Sequence, residues 1–296
     1  MANKPLVIGH RGAAGLAPEN TLAAFSRAIG LGVDAVELDV LLSADGELMV
    51  HHDYALRTEI ARDSEGNWVA GDQELLIKNL TADQLKAYDV GRLKPGTAYG
   101  TRFPDQQAAD GQRIPRLKEV IKLLQRENAG QTGLWIEIKT SPEKPQCTPP
   151  PETVARAVAE LAADFGFLAR TRVLSFDWRA LACLQRIAPG IPTLFLTSEM
   201  TVDQSRDPAT IRLWSGGLNS SDYSGSLPEM VRAGGGRYWA ARYSQLTPER
   251  IGRAHELGIA VYTWTVDGAD DMRRLLAMGV DGIISNRPDV LLALLE

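Results

Sequence analysis

Two pairs of charged residues in this sequence are each separated by one apolar position, Glu37-Leu38-Asp39 and Glu137-Ile138-Lys139. Both pairs lie in apolar, β-rich runs, where period-two alternation sets the members of a pair on one face of a strand. If those faces turn into a shared interior, three carboxylates converge. Buried like charges raise one another's pKa values and do not stay ionised without a compensating cation. Oxygen ligands without thiolate or clustered imidazole select a hard ion, Mg²⁺ or Ca²⁺, over zinc. His10-Arg11-Gly12 near the start and His51-His52-Asp53 further on bring the remaining chemistry. Histidine titrates near neutrality and can take or give a proton. An arginine beside a divalent ion holds the non-bridging oxygens of a phosphate. Glu37, Asp39, Glu137, Arg11 and Lys139 together with His10 and His52 therefore form a set suited to cleaving a phosphodiester.

Such a set needs elements that bring distant residues together. Eight short β-rich runs recur along the chain: Leu6 to His10, Ala35 to Leu42, Leu134 to Ile138, Arg172 to Phe176, Thr193 to Leu196, Tyr238 to Arg242, Val261 to Val266 and Gly282 to Ser285. Helical patterns fill most of the intervals, at Thr21 to Leu31, Leu117 to Glu127, Pro151 to Phe165, Trp178 to Ile187, Pro248 to Leu257 and Ala269 to Met278; Thr201 to Met230 fits no one element. This alternation predicts an α/β fold, a (β/α)₈ TIM barrel in one domain spanning 1–296, whose strand carboxyl ends carry the chemistry. Those ends read, in order, His10 and Arg11, Glu37 and Asp39, Glu137 and Lys139, Trp264, and Asn286. Two features depart from a plain barrel. Residues 37–53 alternate on either side of Asp45-Gly46, a hairpin signal. A turn centred between those two residues sets His52 opposite Asp39, with His51 facing the other way as a structural residue. Residues 54–115 are long, polar and glycine-spotted, which predicts a small insertion after the second strand, over the barrel mouth.

The motifs "HRG…PENT", "ELDV", "HHD", "EIK", "TWTV" and "GIISNRPD" occur in an order that resembles the glycerophosphodiester phosphodiesterase family across nearly the whole chain. The resemblance implies a TIM barrel with an insertion after the second strand, a bound divalent cation, and hydrolysis of small-molecule glycerophosphodiesters to glycerol 3-phosphate and an alcohol. It makes His10 and His52 the acid-base pair, with His52 chosen over His51 because the family histidine directly precedes the aspartate. It makes Glu37, Asp39 and Glu137 the metal ligands, Arg11 and Lys139 the phosphate contacts, and Asn20 an orienting residue from the first loop. Asn286 stands where many relatives carry an acid, and "HDYALRT" is one residue shorter before its Arg-Thr than the usual pattern. Trp264 is read as a substrate-facing wall, against the plainer role of filling the core.

Composition excludes other classes. A net charge of −5 and a pI near 5.5 offer no basic field for a nucleic-acid backbone. No stretch approaches the ~18 apolar residues of a membrane span, so no stable membrane insertion is expected. Met1 to Gly9 lacks a signal-peptide core, which points to the cytoplasm, or to the periplasm or exterior if a leader has been removed. Cys147 and Cys183 read as two free thiols. His255 reads as a solvated or capping histidine, and the glycines at 9, 12 and 15 do not match the dinucleotide-binding spacing. Oligomeric state is not legible. There are two rival functions, the first of which uses the same residues. One is phospholipase-type cleavage of a lysophospholipid or sphingomyelin with a cyclic phosphate product. An apolar rim on the insertion would favour it, but Trp68, Tyr88, Tyr99 and Phe103 are scattered among charges. The other is a non-catalytic phosphate-binding barrel, which would need the arginine but not two proton-transfer groups.

Overall fold

The computed structural model describes residues 4–71, 74–127, 132–202 and 206–296. Met1 to Asn3 of the stretch that lacks a signal-peptide core, residues 72–73 of the expected insertion and residues 203–205 of the ambiguous stretch lie outside the described residues. The strands are β1 (Leu6–Gly9), β2 (Ala35–Leu42), β3 (Leu48–Val50), β4 (Gly133–Ile138), β5 (Thr171–Ser175), β6 (Thr193–Thr197), β7 (Tyr238–Arg242), β8 (Ala260–Trp264) and β9 (Gly282–Ser285). Eight of them run parallel in the order β1-β9-β8-β7-β6-β5-β4-β2, and β1 also pairs with β2, which closes the barrel. β3 is the extra strand, antiparallel on β2.

Alternation along β2 explains how the barrel is filled. Val36, Leu38 and Val40 pack outward in the large core between strands and helices, while Ala35 joins the small cluster inside the barrel. Glu37 and Asp39 continue that inward column toward the carboxyl end. β4 repeats the scheme: Leu134, Ile136 and Ile138 face outward and Trp135 faces inward. The register pairs Asp39 with Glu137 and Glu37 with Trp135, so the acidic side chains crown an apolar interior.

The outer helices are α1 (Leu22–Leu31), α3 (Leu117–Glu127), α4 (Pro151–Asp164), α5 (Trp178–Ile187), α8 (Pro248–Glu256), α9 (Ala269–Ala277) and α10 (Pro288–Leu295). Local signals fix their ends. The Thr21 hydroxyl accepts from Ala24 N at 3.2 Å to start α1, and Gly32, at φ 81°, ends it in the left-handed conformation. The stretch that fits no single element holds α6 (Pro208–Ser215) and α7 (Leu227–Ala233) around a 3₁₀ turn. No helix among the described residues is long and apolar enough to cross a membrane.

The hairpin departs from the expected register. Val40 pairs with Val50 and Leu42 with Leu48, so Asp39 lies opposite His51, whose N–H donates to the Asp39 carbonyl at 3.1 Å. The cause is the turn. Ser43 N donates to Glu47 O at 3.0 Å and Gly46 takes φ 79°, which makes a three-residue loop centred on Asp45 in place of a two-residue turn. His51 is buried, with Nε2 3.3 Å from the Ala55 carbonyl. His52 follows the last hairpin pair.

Residues 54–115 carry little regular structure, a 3₁₀ turn at Ile77–Asn79 and the single-turn α2 (Ala82–Leu85). They pack Leu56, Ile77, Leu85 and Ile114 onto Leu41 and Met49 of the hairpin, a core separate from those of the barrel. Side chains from this segment reach the first βα loop: Tyr99 donates its hydroxyl to Glu19, and Gln106 donates to the Ala14 carbonyl at 2.7 Å.

Candidate active site

The loop after β1 is folded against its own strand. Gly9 lies so close to Gly12 that a Cβ on it would sit 2.1 Å from the Gly12 carbonyl oxygen, and Arg11 and Asn20 adopt φ of 50° and 56°. Left-handed backbone at non-glycine residues is sparsely populated and persists where surrounding contacts demand it. Here the contacts are those of the site. Arg11 N donates to Glu37 Oε2 at 3.0 Å, its guanidinium meets Glu19 at 2.7 Å and Asp39 at 3.3 Å, and Asn20 Nδ2 donates to Asp39 Oδ2 at 2.9 Å. The pair of half-buried Arg11 and buried Glu19 is thus part of the site.

Glu37, Asp39 and Glu137 offer ligand oxygens that all lie within 4.8 Å of one another. Lys139 Nζ stands 2.7 Å from Glu137 Oε1 and 3.6 Å from Asp39 Oδ1. Four buried carboxylates, those of Glu19, Glu37, Asp39 and Glu137, therefore face two cations, Arg11 and Lys139. The electrostatics record the shortfall. Burial, then Asp39 and Glu137, push the Glu37 carboxyl well above the usual carboxylate range. Burial also raises Glu137. Burial pushes Asp39 up as well, but Arg11, His52, Lys139 and the Asn20 amide outweigh it and hold that carboxyl below its usual range. The residues fit a hard divalent ion. Asp39 Oδ1 is buried without a hydrogen-bond partner, the donors are all oxygens, and the missing two positive charges equal those of one such ion.

The two histidines have unlike partners. Asn286 Nδ2 donates to Asp267 Oδ2 at 2.8 Å and Asn286 N donates to Asp267 Oδ1 at 2.8 Å, which turns the amide oxygen toward His10. That oxygen lies 2.6 Å from His10 Nδ1. An amide oxygen only accepts, so Nδ1 carries the proton and Nε2 is left with its lone pair. Nε2 stands 3.9 Å from Glu37 Oε2. Burial and then Arg11 push the His10 imidazole down to about 4, so it is neutral at physiological pH. His52 Nδ1, in contrast, lies 3.1 Å from the Asp53 carboxylate. Burial, Arg11 and Lys139 hold His52 well below its usual value.

His10, Arg11, Glu37, His52, Glu137, Lys139 and Trp264 all line one cavity of about 600 Å³. Asn20 and Asp39 sit behind it, each buried and bonded to the other. Trp264 donates Nε1 to the Ala240 carbonyl at 3.0 Å and meets Phe176 edge to face, with centroids 5.2 Å apart. His255 lies elsewhere, 2.9 Å from Asp281, and both cysteines are free and buried. Sequence reading overlooked Asp267, which anchors Asn286, and gave no role at the site to Tyr99, which holds Glu19. The first had a usable signal, an acid just beyond a barrel strand end. The second had none, since it reaches the site from the middle of an irregular segment.

The model of the glycerophosphoryl diester phosphodiesterase family matches residues 10–290. A glycerophosphodiester phosphodiesterase of Caldanaerobacter subterraneus is 30% identical over 99% of this chain and 98% of its own. A crystal structure from Silicibacter pomeroyi, named for the same family, superposes with a TM-score of 0.87 at 34% identity, covering 99% of this chain and 94% of its own. An Oleispira antarctica phosphodiesterase, solved in complex with the product sn-glycerol-3-phosphate, shares the fold with a TM-score of 0.69 at 23% identity, covering 98% of this chain and 96% of its own.

Proposed function

The chain belongs to the glycerophosphoryl diester phosphodiesterase family and is an enzyme of that activity, and we propose that it hydrolyses a glycerophosphodiester to glycerol 3-phosphate and an alcohol by histidine acid-base catalysis, with one divalent cation, Mg²⁺ or Ca²⁺. The observation that carries this reading is the meeting of an undercompensated acidic trio, two half-buried cations and two histidines with unlike partners in one cavity. Glu37, Asp39 and Glu137 would hold the cation. When bound, it neutralises the non-bridging oxygens of the diester and makes the phosphorus more electrophilic.

The protein's own groups divide the remaining work. Arg11 and Lys139 place positive charge where negative charge builds in the transition state. Asn20 orients Asp39 through its amide. His10, with Nε2 unprotonated and a neutral amide at Nδ1, takes the proton from the attacking water. Burial, Arg11 and Lys139 hold His52 below its ordinary value, and the Asp53 carboxylate at Nδ1 and the negative charge of a bound diester act against that depression, so the imidazolium forms with substrate in place. It then protonates the departing alkoxide. Trp264 walls the cavity. Residues 54–115 act as an inserted unit over the barrel mouth, a reading supported by their separate core and by Arg102, which lines the cavity.

The test is incubation with glycerophosphocholine, glycerophosphoethanolamine and glycerophosphoglycerol in Mg²⁺ or Ca²⁺, with the phosphorus product identified by ³¹P NMR. Glycerol 3-phosphate is the expected product. A cyclic phosphate as end product would replace hydrolysis with internal attack by a substrate hydroxyl, and no turnover of any diester would end the reading.

A further inference from the structure

Two carboxylates behind the reacting groups are each shared in the same way. Glu19, in the loop after β1, meets Arg11 Nη1 with Oε1 at 2.7 Å and accepts the Tyr99 hydroxyl with Oε2. Asp53, just past the hairpin, lies 3.1 Å from His52 Nδ1 with Oδ1 and 3.3 Å from Arg57 Nε with Oδ2. Tyr99 and Arg57 both belong to the segment 54–115, and they meet. The Arg57 guanidinium lies over the Tyr99 ring, 3.8 Å from its centroid. One side chain of the insertion therefore stands where the supports of Arg11 and His52 come together.

Each support has a physical consequence. The Arg11 guanidinium is a planar fork, held at Nη1 by Glu19 and at Nε by Asp39, 3.3 Å away, so the aim of those carboxylates sets its plane. A carboxylate engaged at both oxygens does not swing, and the Tyr99 hydroxyl thus fixes the direction in which Glu19 presents Oε1. Burial and then the Glu19 carboxylate push the Tyr99 phenol above its ordinary value, so it stays protonated and donates. On the other arm, the ring face attracts the Arg57 guanidinium, and the guanidinium so placed holds Asp53 against His52. The segment around Tyr99 is anchored without that hydroxyl. Gln106 donates to the Ala14 carbonyl at 2.7 Å, Gln107 N to the Leu16 carbonyl at 3.0 Å, and Arg287 to Asp105 at 2.6 Å.

We propose that Tyr99 is a positioning residue for the phosphodiesterase reaction, setting Arg11 through Glu19 with its hydroxyl and His52 through Arg57 and Asp53 with its ring. The proposal rests on the phosphodiesterase reading and makes the insertion a working part of the site. The two arms have separate signatures. Arg11 acts on the charge of the phosphate, so its misplacement weakens the hold on any phosphate whatever the leaving group. His52 acts on the departing alkoxide, so its misplacement shows only where that oxygen needs a proton.

The test compares Tyr99→Phe, which removes the hydroxyl and keeps the ring, with Tyr99→Leu, which removes both. Each is assayed well below its own Tm on an alkyl glycerophosphodiester and on the nitrophenyl ester of glycerol 3-phosphate, and the Kd for glycerol 3-phosphate is measured by calorimetry. Tyr99→Phe leaves a buried carboxylate oxygen unpaired, and kcat/KM should fall about 5- to 150-fold by the same factor on both esters, with a weaker Kd. Tyr99→Leu should lose a further factor of about two to thirty on the alkyl diester and little more on the nitrophenyl ester. Wild-type kcat/KM and Kd in Tyr99→Phe overturn the proposal, because Glu19 then holds Arg11 unaided. An equal loss on the two esters in Tyr99→Leu also overturns it, because the ring then has no hold on His52. In both cases the wild-type protein still turns over its diester and the phosphodiesterase reading stands. A wild-type protein that hydrolyses neither ester brings down that reading and this proposal with it.

Discussion

Asn286→Ala removes the acceptor that fixes the His10 tautomer while leaving His10, the acidic trio and the cavity lining in place. The 2.6 Å contact from His10 Nδ1 would be lost, and Asp267 would lose one of the two donors that Asn286 gives it. Leaving a buried donor unpaired costs about 1–3 kcal/mol. If all of that falls on the transition state, kcat drops about 5- to 150-fold, at ~1.36 kcal/mol per decade. Removing the base itself, in His10→Ala, should cost more, on the order of 10²- to 10⁴-fold. The decisive measurement is the double variant, because residues acting through one another are not additive. With initial rates at saturating substrate and cation, Asn286→Ala/His10→Ala should be no slower than His10→Ala alone. Two losses that multiply would show Asn286 acting independently of His10. An Asn286→Ala variant with wild-type kcat would show that Nε2 is presented without help from the amide. Either result refutes the tautomer argument.

Exhaustive chelation should abolish turnover and added Mg²⁺ or Ca²⁺ restore it, while Glu37→Gln should weaken cation binding sharply in a titration followed by calorimetry; full activity in verified metal-free protein would contradict this. His52→Ala should be severely impaired on an alkyl diester yet far less so on a nitrophenyl ester, whose leaving group needs no proton, whereas His10→Ala should be impaired on both; rescue of His10→Ala alone would reverse the roles. Gly12→Ala should lose roughly 2–4 kcal/mol of stability, seen as a Tm several degrees lower, because φ is 88° and a Cβ would sit 2.6 Å from the Ala24 backbone; an unchanged Tm would mean that the loop relaxes freely.

The barrel was legible because inward and outward positions alternate. Val36, Leu38 and Val40 mark one face of β2, and that places Glu37 and Asp39 on the other without any knowledge of the fold. The carboxylate trio follows from two such strands side by side. The hairpin was misread by one residue, since Asp45-Gly46 signals a turn but not whether two or three residues lie within it. His52 still reaches the cavity because it follows the last paired residue and is not held by that register. Phe176 could not be singled out, because an apolar residue after a strand looks like core until the cavity beside it is seen. Residues 54–115 lack a period altogether, so Tyr99 and Arg102 had no address in the sequence.

The acidic trio also sets what the chain gains by keeping its chemistry. Glu37 and Glu137 are held in the barrel against burial and against each other, and neutral groups of similar shape would relieve that repulsion in the empty fold. Selection for robustness alone would drift these positions toward glutamine or leucine, yielding a tougher barrel with no turnover. Keeping both as carboxylates therefore costs the cation-free fold stability. If the trio holds a cation, the cation supply becomes a component of stability, since an ion bound only by the native state stabilises it by an amount that grows with the logarithm of free ion over Kd.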